Sequence, residues 1–342
     1  MIPNEWYAIY EAGQLGRKPV GITRLGQEFV LWRDSAGNAV AMDNRCAHRG
    51  AKFHLGTVSQ GCIQCPYHGF LYDSRGACRY VPANGGDRPV PKGLQTRSWP
   101  VREQHGLIWL WWGEARASYP EIPWFPQAPE DEANATQQSA IYPFHYARAI
   151  ENAMDAHHFP YLHGSAAPNC GMLVDPMEAT WDGEEIHVRA GLKRHRGESD
   201  DKAVLFNMRF KFPNVFYVDL TEYIWLIQVA TPVDEHRTWG YVRYFQRMVT
   251  LPKIGPIFSR TLMRIDAALA QNFQDVPVFS TQSPHKPSLD ADYKLIKADR
   301  GIYYYLAERD RRIAAANAAK AAKGPKLEAV ESIEPIVMER SG

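Results

Sequence analysis

The chain has 342 residues, 39 basic against 38 acidic side chains, a formal net charge of +1 and 45% hydrophobic residues. That length suits two domains of ordinary size, each with its own core. Scattered Lys and Arg at near-zero net charge exclude an electrostatic footprint for nucleic acid, and no run of about 18 apolar residues marks a membrane helix.

The opening "MIPNEWYAIYEAGQ" has neither a basic n-region nor an apolar h-region, so the expectation is a cytoplasmic protein. From Trp6 to about Gly113, short segments such as "EFVLWRD", "AVAMDN" and "GLIWLWWG" alternate with Gly, Asp, Asn and Pro turns, which predicts an all-β module over residues 1–115. The Pro-rich "SYPEIPWFPQAPEDE" predicts a linker over 116–135 that packs a few aromatics on the surface it crosses.

A second domain is expected over 136–318. "HYARAIENAMDAHHF" has helical spacing at Ala149, Ala153 and Ala156, with Pro160 ending or kinking the helix. Four strand-like runs follow, beginning "EEIHVRAGLKRHR" and ending "RTWGYVRYFQRMV", rich in Tyr, Phe, Val and Trp, and predict one curved antiparallel sheet. A helical "IFSRTLMRIDAALAQNFQDVPVF" and a helix near "ADYKLIKADRGIYYYLAERDRR" come next, and residues 319–342 read as a disordered tail. The fold class is α+β, and no internal repeat is visible.

Chemistry concentrates first in "CAHRG" and "CPYHG": Cys46-x-His48, sixteen residues, then Cys65-x2-His68, each pair on a Gly-containing loop. Two thiolates and two imidazoles suit either zinc or a [2Fe-2S] cluster in which one iron takes the cysteines and the other the histidines. Mixed Cys/His loops inside a β module favour the cluster. Five cysteines, Cys46, Cys62, Cys65, Cys78 and Cys170, are an odd set for a disulfide framework and fit metal ligation in a reducing compartment.

The second domain contributes "ENAMDAHHFPYLH". Asp155 and His158 stand three apart and so on one face of a helix, and His163 follows Pro160, where the helix must bend or stop. His158, His163 and one carboxylate would make a 2-His-1-carboxylate triad for mononuclear iron with open positions; His157 competes by adjacency. For the carboxylate, a helical wheel with Leu262, Ile265, Leu269 and Phe273 on one face puts Asp266 near that face and Asp275 nearly opposite.

Asp-x2-His-x4-His downstream of the Cys/His loops resembles the oxygenase component of the Rieske non-haem iron oxygenases, over nearly the whole chain. The resemblance implies an N-terminal Rieske [2Fe-2S] domain held by Cys46, His48, Cys65 and His68. It implies a helix-grip-like catalytic domain whose curved antiparallel sheet wraps a helix and an apolar pocket. Ala51 or Gly50, and Tyr67, stand where respiratory Rieske proteins carry loop-tying cysteines, which implies the lower-potential, oxygenase-type cluster. It also implies iron at His158 and His163, Asn152 near that iron, and Asp155 as a bridge to His68 of the adjacent subunit. "QNFQDVPVF" resembles the family's late aspartate segment, which selects Asp275 over Asp266, although Gln274 replaces the usual acidic neighbour.

The implied activity is hydroxylation or oxidative demethylation of a mostly apolar small molecule with O2, by a homotrimer fed from a separate NAD(P)H-dependent reductase or ferredoxin. No GxGxxG or flavin motif occurs in the chain itself. A Rieske electron-transfer protein and a hydrophobe-binding protein without oxygenase activity are the alternative expectations.

Overall fold

The computed structural model describes residues 1–85, 88–128, 134–164, 170–267, 274–292 and 294–322. The N-terminal half is built of short antiparallel strands: β1 (Glu5–Glu11), β2 (Val20–Arg24), β3 (Gln27–Arg33), β4 (Ala39–Asp43), β5 (Thr57–Ser59), β6 (Cys62–Gln64), β7 (Leu71–Tyr72), β8 (Cys78–Tyr80), β9 (Ser98–Trp99), β10 (Val101–Gln104) and β11 (Leu107–Trp112). They form three sheets, ordered β1-β11-β10, β2-β3-β4-β9 and β5-β6-β7-β8. The third is the small sheet whose loops carry the Cys/His pairs, and Phe53, Ile63, Phe70 and Tyr72 fill its core together with Cys46 and Cys65.

After the Pro-rich crossing, β12 (Ala135–Tyr142) leads into α1 (Tyr146–Met154), the one-turn α2 (Phe159–Leu162) and six consecutive strands: β13 (Leu173–Trp181), β14 (Glu185–Lys193), β15 (Val204–Lys211), β16 (Val215–Thr221), β17 (Ile224–Pro232) and β18 (Thr238–Gln246). These six make a meander, and β12 pairs beside β18 to give seven antiparallel strands. The helices α3 (Ile254–Asp266), α4 (Val276–Phe279) and α5 (Arg300–Ala322) complete the fold, which is α+β as expected.

Both faces of the large sheet are covered at β16, β17 and β18, which read as nearly unbroken apolar runs, whereas β14 and β15 alternate. On one face Phe216, Val218, Leu226, Val242 and Tyr244 pack with Ile150 and Met154 of α1 and with Ile302, Tyr305 and Leu306 of α5. On the other face Val215, Tyr217, Ile227, Val229 and Tyr241 pack under Trp6, Trp109 and Trp111 of the N-terminal domain. The crossing segment adds Ile122 and Phe125 to that cluster, and the Trp6 indole donates to the Pro120 carbonyl at 2.9 Å. The junction is also hydrogen-bonded through its core: Thr231 Oγ1 donates to the Ala8 carbonyl at 2.6 Å, with both residues buried.

Several expectations are corrected. Pro160 does not end a helix; α1 stops at Met154 and Pro160 sits in the first turn of α2, where its missing N–H costs nothing. Asp155 and His158 therefore do not share one continuous helix. The buried side of α3 is Gly255, Ser259 and Met263, with Ile265 exposed, because α3 lies on β12 and β18 through small residues; Ser259 Oγ donates to the Asn134 carbonyl at 2.8 Å. The wheel's Leu269 and Phe273 fall outside the described residues. Along the sheet, Phe206, Met208 and Phe216 border a cavity, whereas Tyr217, Trp225 and Ile227 belong to the opposite, junction face. Phe210 and Phe212 pack on Tyr305 of α5. The sequence reading also missed β12 and β13 as strands. Residues 319–322, assigned to the tail, continue α5, and 323–342 lie outside the described residues.

Candidate metal centres

The two Cys/His loops are built alike. In each, the glycine four residues after the cysteine turns back and donates its N–H to the cysteine carbonyl, Gly50 to Cys46 at 2.9 Å and Gly69 to Cys65 at 3.0 Å. Both glycines sit in the left-handed region, φ +75 and +73, which side chains with a Cβ rarely adopt. Each loop thus presents its Cys and His from one side.

The thiols lie inside and the imidazoles outside. Cys46 and Cys65 are 3% and 2% exposed and near enough to hydrogen-bond one another, while His68 is half-buried and His48 exposed. The two imidazole rings stand 4.8 Å apart, with His48 stacked on Phe70. Cys46 Sγ lies 3.4 Å from the Tyr72 hydroxyl, a donor available to a thiolate. The donor set fits a [2Fe-2S] cluster with its cysteine iron buried and its histidine iron toward solvent. All five cysteines are free thiols, so no disulfide ties the loops.

The second centre assembles where α1 breaks. His158, His163 and Asp275 place one donor atom each within 4.8 Å of one another. His163 Nδ1 meets Gln274 Oε1 at 2.8 Å, which puts the ring proton on Nδ1 and leaves Nε2 as a lone pair. That lone pair faces Asp275 Oδ1 at 3.1 Å, and Oδ1 is buried without a hydrogen-bond donor. The pair shares a proton when the ring is charged and offers two adjacent lone pairs to a metal cation when the ring is neutral. With His158 Nε2 3.9 Å from the same oxygen, the set fits a divalent iron with open positions.

The remaining predicted site residues surround this centre. Asp155 Oδ2 lies 3.4 Å from His158 Nδ1, within ion-pair reach but not aligned as a hydrogen bond. Its other oxygen accepts from the backbone N–H of His157 at 2.8 Å. Burial pushes the Asp155 carboxyl up, but the adjacent His158 and His157 imidazoles and the backbone N–H of His157 outweigh it and hold the carboxyl below its ordinary value. His157, the rival ligand, turns away from the three donors and binds Asp299 Oδ1 at 3.1 Å. Asp266, the rival carboxylate, accepts from the Tyr244 hydroxyl. It lines the same cavity as the three donors but is not grouped with them. Asn152 borders that cavity, one turn before Asp155.

Sequence reasoning missed Gln274 and Asp299. Gln274 was visible only as a departure from an acidic neighbour; Asp299 had no local signal.

The cavity has two lobes of about 170 and about 100 Å³. The first holds His158, His163 and Asp266; both share Asn152, Phe216, Gln228 and Asp275. The second extends to Phe144, Val242 and Phe279.

Comparison with known proteins agrees with this geometry. Residues 5–100 match the Rieske [2Fe-2S] domain family. The chain is 35% identical to the putative toluene-4-sulfonate monooxygenase system iron-sulfur subunit TsaM2 of Comamonas testosteroni, over 48% of this chain and 46% of that one. It is 33% identical to the oxygenase component of dicamba O-demethylase from Stenotrophomonas maltophilia, over 48% and 49%. The chain thus spans about half the length of the curated relatives it matches. The structure of NdmA from Pseudomonas putida CBB5 superposes with a TM-score of 0.68 at 25% identity, covering 93% of this chain and 92% of that one. Residues 5–100 thus form a Rieske [2Fe-2S] domain, and the chain as a whole is similar to oxygenase components that carry one.

Proposed function

We propose that the protein is the terminal oxygenase of a multicomponent system and inserts oxygen from O2 into an apolar small molecule, by hydroxylation or oxidative demethylation. The observation that carries this reading is the His158, His163, Asp275 donor set on the wall of a largely apolar cavity, in a chain that also has a Rieske domain. When bound, a [2Fe-2S] cluster supplies one-electron transfer and a mononuclear iron supplies activation of O2.

Cys46, His48, Cys65 and His68 hold the cluster, and His158, His163 and Asp275 the iron. Gln274 fixes the ring plane of His163 by a hydrogen bond at Nδ1, and the Asp155 carboxylate lies within ion-pair reach of Nδ1 of His158, so each imidazole offers Nε2. Phe159, Phe206 and Phe216 keep water from the centre. Asn152 lines both lobes beside it.

No Lys or Arg lines either lobe among the described residues, which supports an uncharged substrate. Monooxygenation is supported by relatives named as a monooxygenase and an O-demethylase. Electrons come from a separate reductase or ferredoxin, consistent with the exposed edge at His48, Tyr67 and Leu55. The working form is a homotrimer in which Asp155 of one subunit meets His68 of the next. Five free thiols suit a cytoplasmic setting, and no described helix is long and apolar enough to cross a membrane.

The test is a single turnover. Protein reduced with dithionite, desalted and mixed with labelled O2 and a panel of small aromatics should yield a product carrying the label. Cluster reoxidation without labelled product from any of the panel argues for an electron carrier instead.

A further inference from the structure

One ring nitrogen of His157 stands between two carboxylates. Its Nε2 is hydrogen-bonded to Asp299 Oδ1 at 3.1 Å and lies 3.3 Å from Asp155 Oδ1. Two acceptors facing one nitrogen put the ring proton there, because a lone pair at Nε2 would point at both oxygens. Held in this place, the ring also screens two like charges from one another.

Asp299 is the fixed end of this contact. Its Oδ2 accepts from the Ile296 N–H at 2.7 Å and its own N–H donates to the Ile296 carbonyl at 3.0 Å, which ties it to the turn that opens α5. That helix is held in turn by Ile302, Tyr305 and Leu306 in the core. The Asp299 side chain is 12% exposed and that of His157 35%. The aspartate therefore places the ring.

Asp155 is held less firmly by itself. Its Oδ1 accepts from the backbone N–H groups of His157 at 2.8 Å and His158 at 3.3 Å, but the approach of Oδ2 to His158 Nδ1, at 3.4 Å, is not aligned as a hydrogen bond. One anchored oxygen leaves the carboxylate able to turn. Asp155 also borders two cavities: the lobe with His158, His163 and Asp275, and another of about 320 Å³ that His157 and Asp299 line and those three do not. The His157–Asp299 pair thus stands on the side of Asp155 away from the iron donors.

We infer that Asp299 is a positioning residue for electron transfer: by holding the His157 ring against Asp155 Oδ1, it keeps the carboxylate turned with Oδ2 toward His158. The inference rests on the proposed reading that Asp155 bridges the cluster of one subunit to the iron of the next.

The test needs neither substrate nor O2. In metal-loaded protein with the mononuclear iron ferric, flash photoreduction of the cluster is followed anaerobically by recovery of the cluster's visible absorbance, as one electron leaves the cluster and reduces Fe(III) to Fe(II). Asp155→Ala and Asp299→Ala should each slow the recovery by about tenfold or more with iron content unchanged. The double variant should be no slower than Asp155→Ala alone, because Asp299 acts through Asp155. His157→Phe leaves the α5 turn intact and should match Asp299→Ala. Recovery at the wild-type rate in Asp299→Ala or His157→Phe overturns the inference. So does iron loss in Asp299→Ala, or a double variant slowed by the product of the two single effects, since either would mean that Asp299 merely supports the fold. Failure of the bridging reading looks different: there wild type itself shows no recovery, or Asp155→Ala recovers as fast as wild type.

Discussion

Asp155 Oδ2 stands 3.4 Å from His158 Nδ1 across a break in the chain: α1 has ended at Met154, Asp155 is extended at φ −95, ψ 113, and the next helix begins at Phe159. Extended backbone at Asp155 lets one carboxylate face His158 while also accepting from the N–H of His157. Replacing Asp155 by Ala should leave both metals bound but cut turnover by at least about tenfold, the usual scale for losing a partner that orients a metal-bound histidine. Metal analysis alongside single-turnover product yield reads this. Loss of iron in step with activity would mean that Asp155 acts by holding the site together.

Removing a histidine should act differently. His158→Ala or His163→Ala is expected to lose one iron per chain and all product while the visible spectrum of the cluster persists. Gln274→Leu, which frees His163 Nδ1, should weaken iron binding by about 10- to 100-fold without abolishing it. Iron retention measured against a graded chelator distinguishes the three.

The carboxylates can be separated. Asp275→Ala should lose the mononuclear iron, whereas Asp266→Ala, which removes the acceptor of the Tyr244 hydroxyl, should keep it. The opposite pattern would move the third ligand to Asp266.

His145 links acid stability to the helix that carries Asn152. Its Nδ1 accepts from the N–H of Ala147 at 3.2 Å and caps α1. Burial, and then the charges of Arg309, Lys286, His285 and the N-terminus, push the imidazole down to about 3. The folded value is below the unfolded one near 6.5, so this contribution is complete above pH 6.5 and is lost as the pH falls toward 3. The slope approaches about 1.4 kcal/mol per pH unit in that window. His145→Asn preserves a side-chain acceptor for the cap. Urea midpoints of the variant should therefore fall less steeply between pH 6.5 and 4 than those of the wild type; parallel curves would remove His145 from the account.

The cluster loops were legible because their chemistry is local: two Cys/His pairs with a glycine at a fixed offset specify both ligands and turn. The large sheet was legible from Tyr, Phe, Val and Trp runs, but its faces were not. Tyr217 and Ile227 serve a domain junction and Phe216 a cavity, and in a sheet covered on both sides no polar alternation marks which is which. The helix around Asp155 was overextended because spacing at Ala149, Ala153 and Ala156 continues past the point where Asp155 leaves helical geometry to meet its histidines. Asp299 acts through a partner 142 residues away, His157, beyond the reach of any local pattern.

The proposed intersubunit route from cluster to iron has its own check. Subunits carrying Cys46→Ala and subunits carrying His158→Ala, each inactive alone, should regain part of the activity when reassembled as mixed trimers. Verified mixed trimers without activity would place electron transfer within one chain.

The central claim, that one chain holds a Rieske cluster and a separate mononuclear iron, is tested most directly by counting iron and acid-labile sulfide per chain and recording the visible spectrum of the purified protein. The account predicts about three irons and about two sulfides per chain with a coloured Rieske spectrum. Zinc in place of iron, with no sulfide and no colour, would contradict it.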